Sequence, residues 1–186
     1  MMKYHTIWSL NQNIQNYDIT RYILTFIFYK PITRDIMKRK IKNNEFQDMK
    51  DGYGSIKKWN VSNVIDMSKM FCNCYNFNQN ISKWNVHNVQ NMSYMFDYCK
   101  NFNQDISKWD VSNVVMMENM FIDCHIFNQN LSSWNVSNVI FMDNMFCNCK
   151  NFNQDISKWN VSNVTNMRHM FYDCNKLTNK PTWSVT

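Results

Sequence analysis

The seven cysteines are the residues in this chain best suited to chemistry, and their spacing limits what that chemistry can be. Cys74, Cys99, Cys124, Cys149 and Cys174 recur every 25 residues, and Cys72 and Cys147 turn two of those positions into C-x-C pairs. Close thiol pairs could form disulfides or hold zinc. A thiol that returns once per unit at the apolar end of a hydrophobic run instead reads as a small buried hydrophobe with a raised pKa. If the units stack in parallel with strand spacing, the two C-x-C pairs stand roughly 14 Å apart, too far for a shared disulfide or zinc ion. Cys72 and Cys147 are therefore expected to be surface substitutions, and no metal or cofactor is expected.

Other reactive groups do not converge. His5, His87, His125 and His169 fall at unrelated places in the repeating unit, so no nucleophile, base and orienting group are suggested. The two glycines, Gly52 and Gly54, stand together before the first unit, where they suit a turn and not a phosphate-binding loop. The chain is not expected to be an enzyme. Asn60, Asn80, Asn91, Asn130, Asn135, Asn160 and Asn163 match the glycosylation acceptor pattern. Most sit at repeated positions suited to turns or caps, which mildly favours a protein outside a eukaryotic secretory pathway.

These residues must be positioned by a unit written five times over residues 56 to 180, with Trp59, Trp84, Trp109, Trp134 and Trp159 at 25-residue intervals. Self-similarity at such a period signals stacked repeats. In the first unit Val64, Met67, Met70, Phe71 and Cys74 are spaced as on one face of a short helix. Phe77, Ile81 and the stretch from Trp84 to Val86 suit an extended segment. Ser62-Asn63 and its counterparts fall where a helix N-cap is needed. The expected fold class is thus an α/β repeat of about five strand-turn-helix rungs. A lone rung would bury about seven apolar side chains at ~1.5–3 kcal/mol each. Ordering its backbone costs on the order of 1–2 kcal/mol per residue. Stacking is therefore required, with like residues lying in columns.

At this point a family resemblance is carried by particular residues. The M-F-x-x-C-x-x-F-N-x-x-I run resembles the core of the BspA-like leucine-rich-repeat surface proteins. The longer FNQDISKWNVSNVTNMRHMF resembles the mycoplasma-lipoprotein-type branch of that family, over about residues 53 to 176. The resemblance implies a right-handed leucine-rich-repeat-like solenoid, in a family whose members are often adhesive or protein-binding; stacked repeats also need a cap, which the N-terminal segment is read to supply.

The net charge is +6, much of it between Lys30 and Lys58. A solvated helix face is the commoner explanation of such a stretch, so nucleic acid is an unlikely partner. The apolar run Tyr22 to Tyr29 is about half the length needed to span a bilayer, and the first 20 residues lack the layout of a secretory signal. No membrane span is expected, and an intracellular, cytoplasmic address is favoured. Residues 1–52 are read as an N-terminal segment with a capping helix, which Pro31 and Thr33 can open and to which Ile36, Met37, Ile41 and Phe46 supply an apolar side between basic residues. Residues 53–186 are read as the repeat region, ending in a degenerate unit in which Pro181 replaces Ile.

The variable positions carry what functional signal there is. Counted from each Trp, positions 6, 7, 9, 10, 13, 14 and 16 change freely, which marks an outward side. There Val115 and Met116 in the third unit stand beside Ile140 and Phe141 in the fourth, and adjacent exposed apolar residues can mark an interaction site. A column of Lys58, Lys83, Lys108 and Lys158, broken at Ser133, reads as a solvated stripe. The expectation is a monomeric, non-catalytic protein-interaction or scaffolding module that binds a protein partner through Val115, Met116, Ile140 and Phe141. The alternatives are a surface adhesin exported without a recognisable signal and nucleic-acid binding through the basic N-terminal segment.

Overall fold

The computed structural model describes residues 31–46, 53–178 and 180–184. The Tyr22–Tyr29 run and the Gly52 turn lie outside the described residues. The helix α1 (Arg34–Lys42) forms where Thr33 can cap it: the Thr33 side chain accepts the Ile36 N–H. Asp35 lies in its first turn and Arg39, Lys40 and Lys42 in its last, each sign at the helix end it stabilises. Met37 and Ile41 are buried, while Ile36 and Phe46 pack partly against the same core.

The repeats are not built as strand-turn-helix rungs, and the leucine-rich-repeat-like solenoid expected from them is not formed. Among the described residues α1 is the only α-helix, and β-pairing is limited to isolated bridges with no sheet. Backbone hydrogen bonding explains why. A helix would join each N–H to the carbonyl four residues back. Here the N–H groups of Met67, Lys69, Phe71 and Asn73 donate instead to the carbonyls of Asn91, Ser93, Met95 and Asp97 in the next unit, at 2.8–2.9 Å. The intervening Met70, Cys72 and Cys74 close turns onto residues three back. Every second donor thus looks to a neighbour and the others look inward. Lys69 and Asn73 have φ of 56° and 63°, and their counterparts in later units are also left-handed, which breaks both helix and strand.

The expected helix caps are likewise replaced. The Asn88 side-chain amide donates to the Ser62 carbonyl, and Asn113, Asn138 and Asn163 repeat the bond to the preceding unit at 2.7–2.8 Å. Asn60, Asn85, Asp110, Asn135 and Asn160 turn their Oδ1 onto the N–H two residues on, which fixes a tight turn after each Trp.

The expected columns are present. Phe71, Phe96, Phe121, Phe146 and Phe171 stack with ring centroids 5.4–5.9 Å apart. Phe77, Phe102, Phe127 and Phe152 form a second file at 5.9–6.3 Å. Four of the Trp residues also cross the gap: the Trp84, Trp109, Trp134 and Trp159 indole N–H groups donate to the carbonyls of Ile56, Ile81, Ile106 and Leu131 in the unit before. A buried indole thereby keeps its polar atom satisfied. Met92, Met117 and Met142 are fully buried in the same core.

One end of this stack is closed by the N-terminal segment. The Ile32 N–H donates to the Asn60 carbonyl, and Pro31 bridges Asn60. The Arg34 guanidinium lies 3.3 Å from Asp66 and donates to the carbonyl and hydroxyl of Ser68. Phe46 meets Phe77 at 5.8 Å, extending that ring file by one.

Candidate functional site

The four residues singled out for partner binding are brought together by the inter-unit pairing. Met116 bridges Phe141 in parallel, and the Ile140 N–H donates to the Val115 carbonyl at 2.9 Å. Phe141 is 40 % exposed, whereas Val115, Met116 and Ile140 are half-buried. At the same position of the other units the bridging residues are polar: Asp66, Asn91 and Asn166. At the position before the bridge, Ile65 in the first unit is 56 % exposed, but its successor in the second is Gln90. The apolar surface is therefore broken at the second unit and continuous across the third and fourth.

A second outward feature escaped the sequence reading. Cys72 is half-buried, and its thiol donates to Asp97 at 3.3 Å. Burial, then the bond to Asp97, pushes that thiol up to about 11. Asp97 is itself raised, chiefly by burial, and its Oδ1 accepts no hydrogen bond. One unit on, Asp123 accepts from the Asn148 side chain and faces His125 at 3.4 Å. The signal was available: positions 13 and 14 after each Trp vary between Cys, Asp, Ile, Asn and Tyr, but only the structure shows which of these side chains bond to one another across consecutive units.

The periodic thiols have a more specific part than filling space. Cys99, Cys124, Cys149 and Cys174 donate through sulfur to the carbonyls of Phe71, Phe96, Phe121 and Phe146 at 2.9–3.0 Å. All seven cysteines are free thiols. Burial drives Cys99, Cys124 and Cys149 well above the usual thiol range and Cys174 to about 12, which holds them as neutral S–H donors. Among the described residues no three His, Cys, Asp or Glu side chains converge as a metal site.

The basic N-terminal stretch is partly consumed by the fold. Arg34 is held by Asp66 and Ser68, and Lys40 is buried 3.7 Å from Glu45. The lysines Lys58, Lys83, Lys108 and Lys158 are exposed. No helix among the described residues is long and apolar enough to cross a membrane.

Near-identical units, each hydrogen-bonded to the next through backbone, indole, thiol and amide, define a protein whose repeated residues are structural and whose individuality lies in the few variable surface positions. The chain belongs to the family described as "Mycoplasma protein of unknown function, DUF285", whose model matches residues 40–146 and 109–186. The match does not carry the BspA-like leucine-rich-repeat name. Neither a curated protein nor a solved structure matches the chain.

Proposed function

We propose that the chain is a non-catalytic module that binds another protein through the face formed by Val115, Met116, Ile140 and Phe141. The observation that carries this reading is the bridge between Met116 and Phe141, which sets two large apolar side chains side by side on an outward edge. Such residues at bridging positions add no interior packing comparable to the buried Met117 and Met142 that follow them. Apolar side chains grouped on an outer surface favour association. The thiols support a non-catalytic reading, since a protonated buried thiol is a poor nucleophile.

The test is a photo-crosslinking residue placed at Phe141 and, separately, at the exposed Lys57 on a different part of the surface. The reading expects a discrete protein adduct in native cell extract from position 141 alone, lost when Met116 is replaced by Ser. Equal adducts from both positions, or a Met116→Ser variant that lowers stability without changing the adduct, would count against it.

A further inference from the structure

Units that are otherwise alike treat one surface position differently. In the first, second and fifth units the bridging residue is Asp66, Asn91 or Asn166, and its Oδ1 accepts the N–H two residues on, from Ser68, Ser93 and Arg168, at 2.7, 2.9 and 3.2 Å. Met116 and Phe141 have no oxygen to offer, and the N–H groups of Glu118 and Asp143 find no acceptor among the described residues. The apolar pair therefore stands where two turn bonds are forgone, and Phe141 is still 40 % exposed.

The same two units also carry the charge. Two residues beyond the bridge, the Ser68 and Ser93 of the first units give way to Glu118 and Asp143, neighbours in register across one junction. Both are half-buried, and neither makes a side-chain hydrogen bond or an ion pair among the described residues. Glu118 Oε2 is shielded from solvent without a donor. Arg168, next in that row, makes no ion pair with Asp143. A chain of net charge +6 thus sets two carboxylates against its exposed apolar pair.

The first unit shows what these two positions can receive. Arg34 of α1 reaches them from outside the repeats: its Nε lies 3.3 Å from the Asp66 carboxylate, and its Nη2 donates to the carbonyl and hydroxyl of Ser68 at 2.9 Å. The planar guanidinium spans the bridging residue and the residue two on, as its fork of donors allows. In the second unit the same two positions are closed on each other, the Ser93 hydroxyl donating to Asn91 at 2.7 Å. In the third and fourth units the acceptors are present and no arginine meets them.

From this combination we infer that the occupant of the Val115–Phe141 face is a segment of another protein that sets an arginine on Glu118 and Asp143 while laying apolar side chains on Met116 and Phe141. The inference rests on the reading of that face as protein-binding and adds the partner's chemistry. A guanidinium gives each carboxylate a charge-assisted bond and supplies the donor that Glu118 Oε2 lacks. A wholly apolar occupant would bury both carboxylates unpaired, which is strongly unfavourable. An anionic occupant would meet like charge.

The probe is a library of random-sequence peptides displayed on phage and selected on the full chain, with each selected peptide then synthesised and titrated. Peptides whose binding is lost with Phe141→Ser are expected to carry an arginine among apolar residues. Replacing that arginine by citrulline, which keeps the shape and removes the charge, should weaken binding to the unaltered chain about tenfold or more. The same replacement should have little effect on binding to a Glu118→Gln, Asp143→Asn variant. The inference is overturned if Phe141-dependent peptides carry no arginine, or if citrulline binds the unaltered chain as well as arginine does. Either result leaves the face standing as a protein-binding surface. If no selected peptide depends on Phe141, the reading of the face itself fails and the inference falls with it. Self-association of the chain that Phe141→Ser abolishes would make a second copy the occupant, and also overturns it.

Discussion

The third and fifth units carry nearly the same residues in the same register, yet they are not equally buried. Val111, Val114 and Met117 are at most 1 % exposed, whereas Val161, Val164 and Met167 are only partly buried. Sequence differences do not account for this, since Val-x-x-Val-x-x-Met is common to both. The third unit is covered on both sides and the fifth is covered fully on one. What a unit contributes to stability is therefore set by its neighbours, as expected where each repeat touches only the repeats beside it.

Substitutions made in pairs, one in each unit, break or sharpen that comparison. The largest difference is expected for Phe121→Ala against Phe171→Ala. Phe121 stacks between Phe96 and Phe146, so its loss should cost ~3–5 kcal/mol in denaturant unfolding. Phe171 has only Phe146 in its file, so about half that cost is expected. Equal losses would mean that stacking is not what distinguishes the two units.

Cys124→Ala should follow, at about 1–2 kcal/mol, because it removes a buried thiol and the bond to Phe96. Cys174→Ala, near the less covered end, should cost less in the same measurement. Asn113→Ala, which removes an exposed amide bond to the His87 carbonyl, should cost about 0.5–1 kcal/mol.

The smallest effects are on pH dependence, and two aspartates oppose each other in sign. Asp110 is held below its ordinary value of 3.8 by the Ser112 hydroxyl, then by His87, then by the Ser112 N–H. Its contribution to stability is present above the unfolded value and is lost as pH falls through the lower folded value. Asp97 is raised above 3.8, chiefly by burial. It favours folding below the unfolded value, and that advantage is lost as pH rises through the folded one. Asp110→Asn should therefore weaken the neutral-to-acid fall in melting temperature, while Asp97→Asn should steepen it. The same direction of change in both variants would contradict the assigned environments.

How much of this was legible in the sequence depends on which bonds are considered. The Trp, Met, Phe and Cys files follow from a strict 25-residue period, because identical positions in stacked units must coincide. The local backbone does not follow. Val64, Met67, Met70, Phe71 and Cys74 sit at spacings of three and four, which a helix produces and a succession of turns produces equally well. Position 14 after each Trp held the missing hint. Asn73, Asp123, Asn148 and Asp173 are residue types that tolerate left-handed backbone, and all four adopt it. The Asn at position 4 after each Trp was legible as a polar column but not as a bridge between units, because a cap and a cross-link use the same amide. The Met116–Phe141 adjacency was legible because both stand at the same position of successive units. The Cys72–Asp97 pair stands at a shared position of successive units too, so its adjacency was equally legible; that the thiol donates to the carboxylate was not, because the sequence carries no sign of the burial and orientation that bring the two groups within 3.3 Å.

The central claim is that each unit is bound to the next and not wound into a helix of its own. NMR couplings measured through hydrogen bonds test it directly on the Phe121 amide nitrogen. Pairing between units predicts a coupling to the Met145 carbonyl carbon, across the 2.9 Å bond. A coupling to the Met117 carbonyl carbon instead, four residues back, would restore the helix and contradict the account.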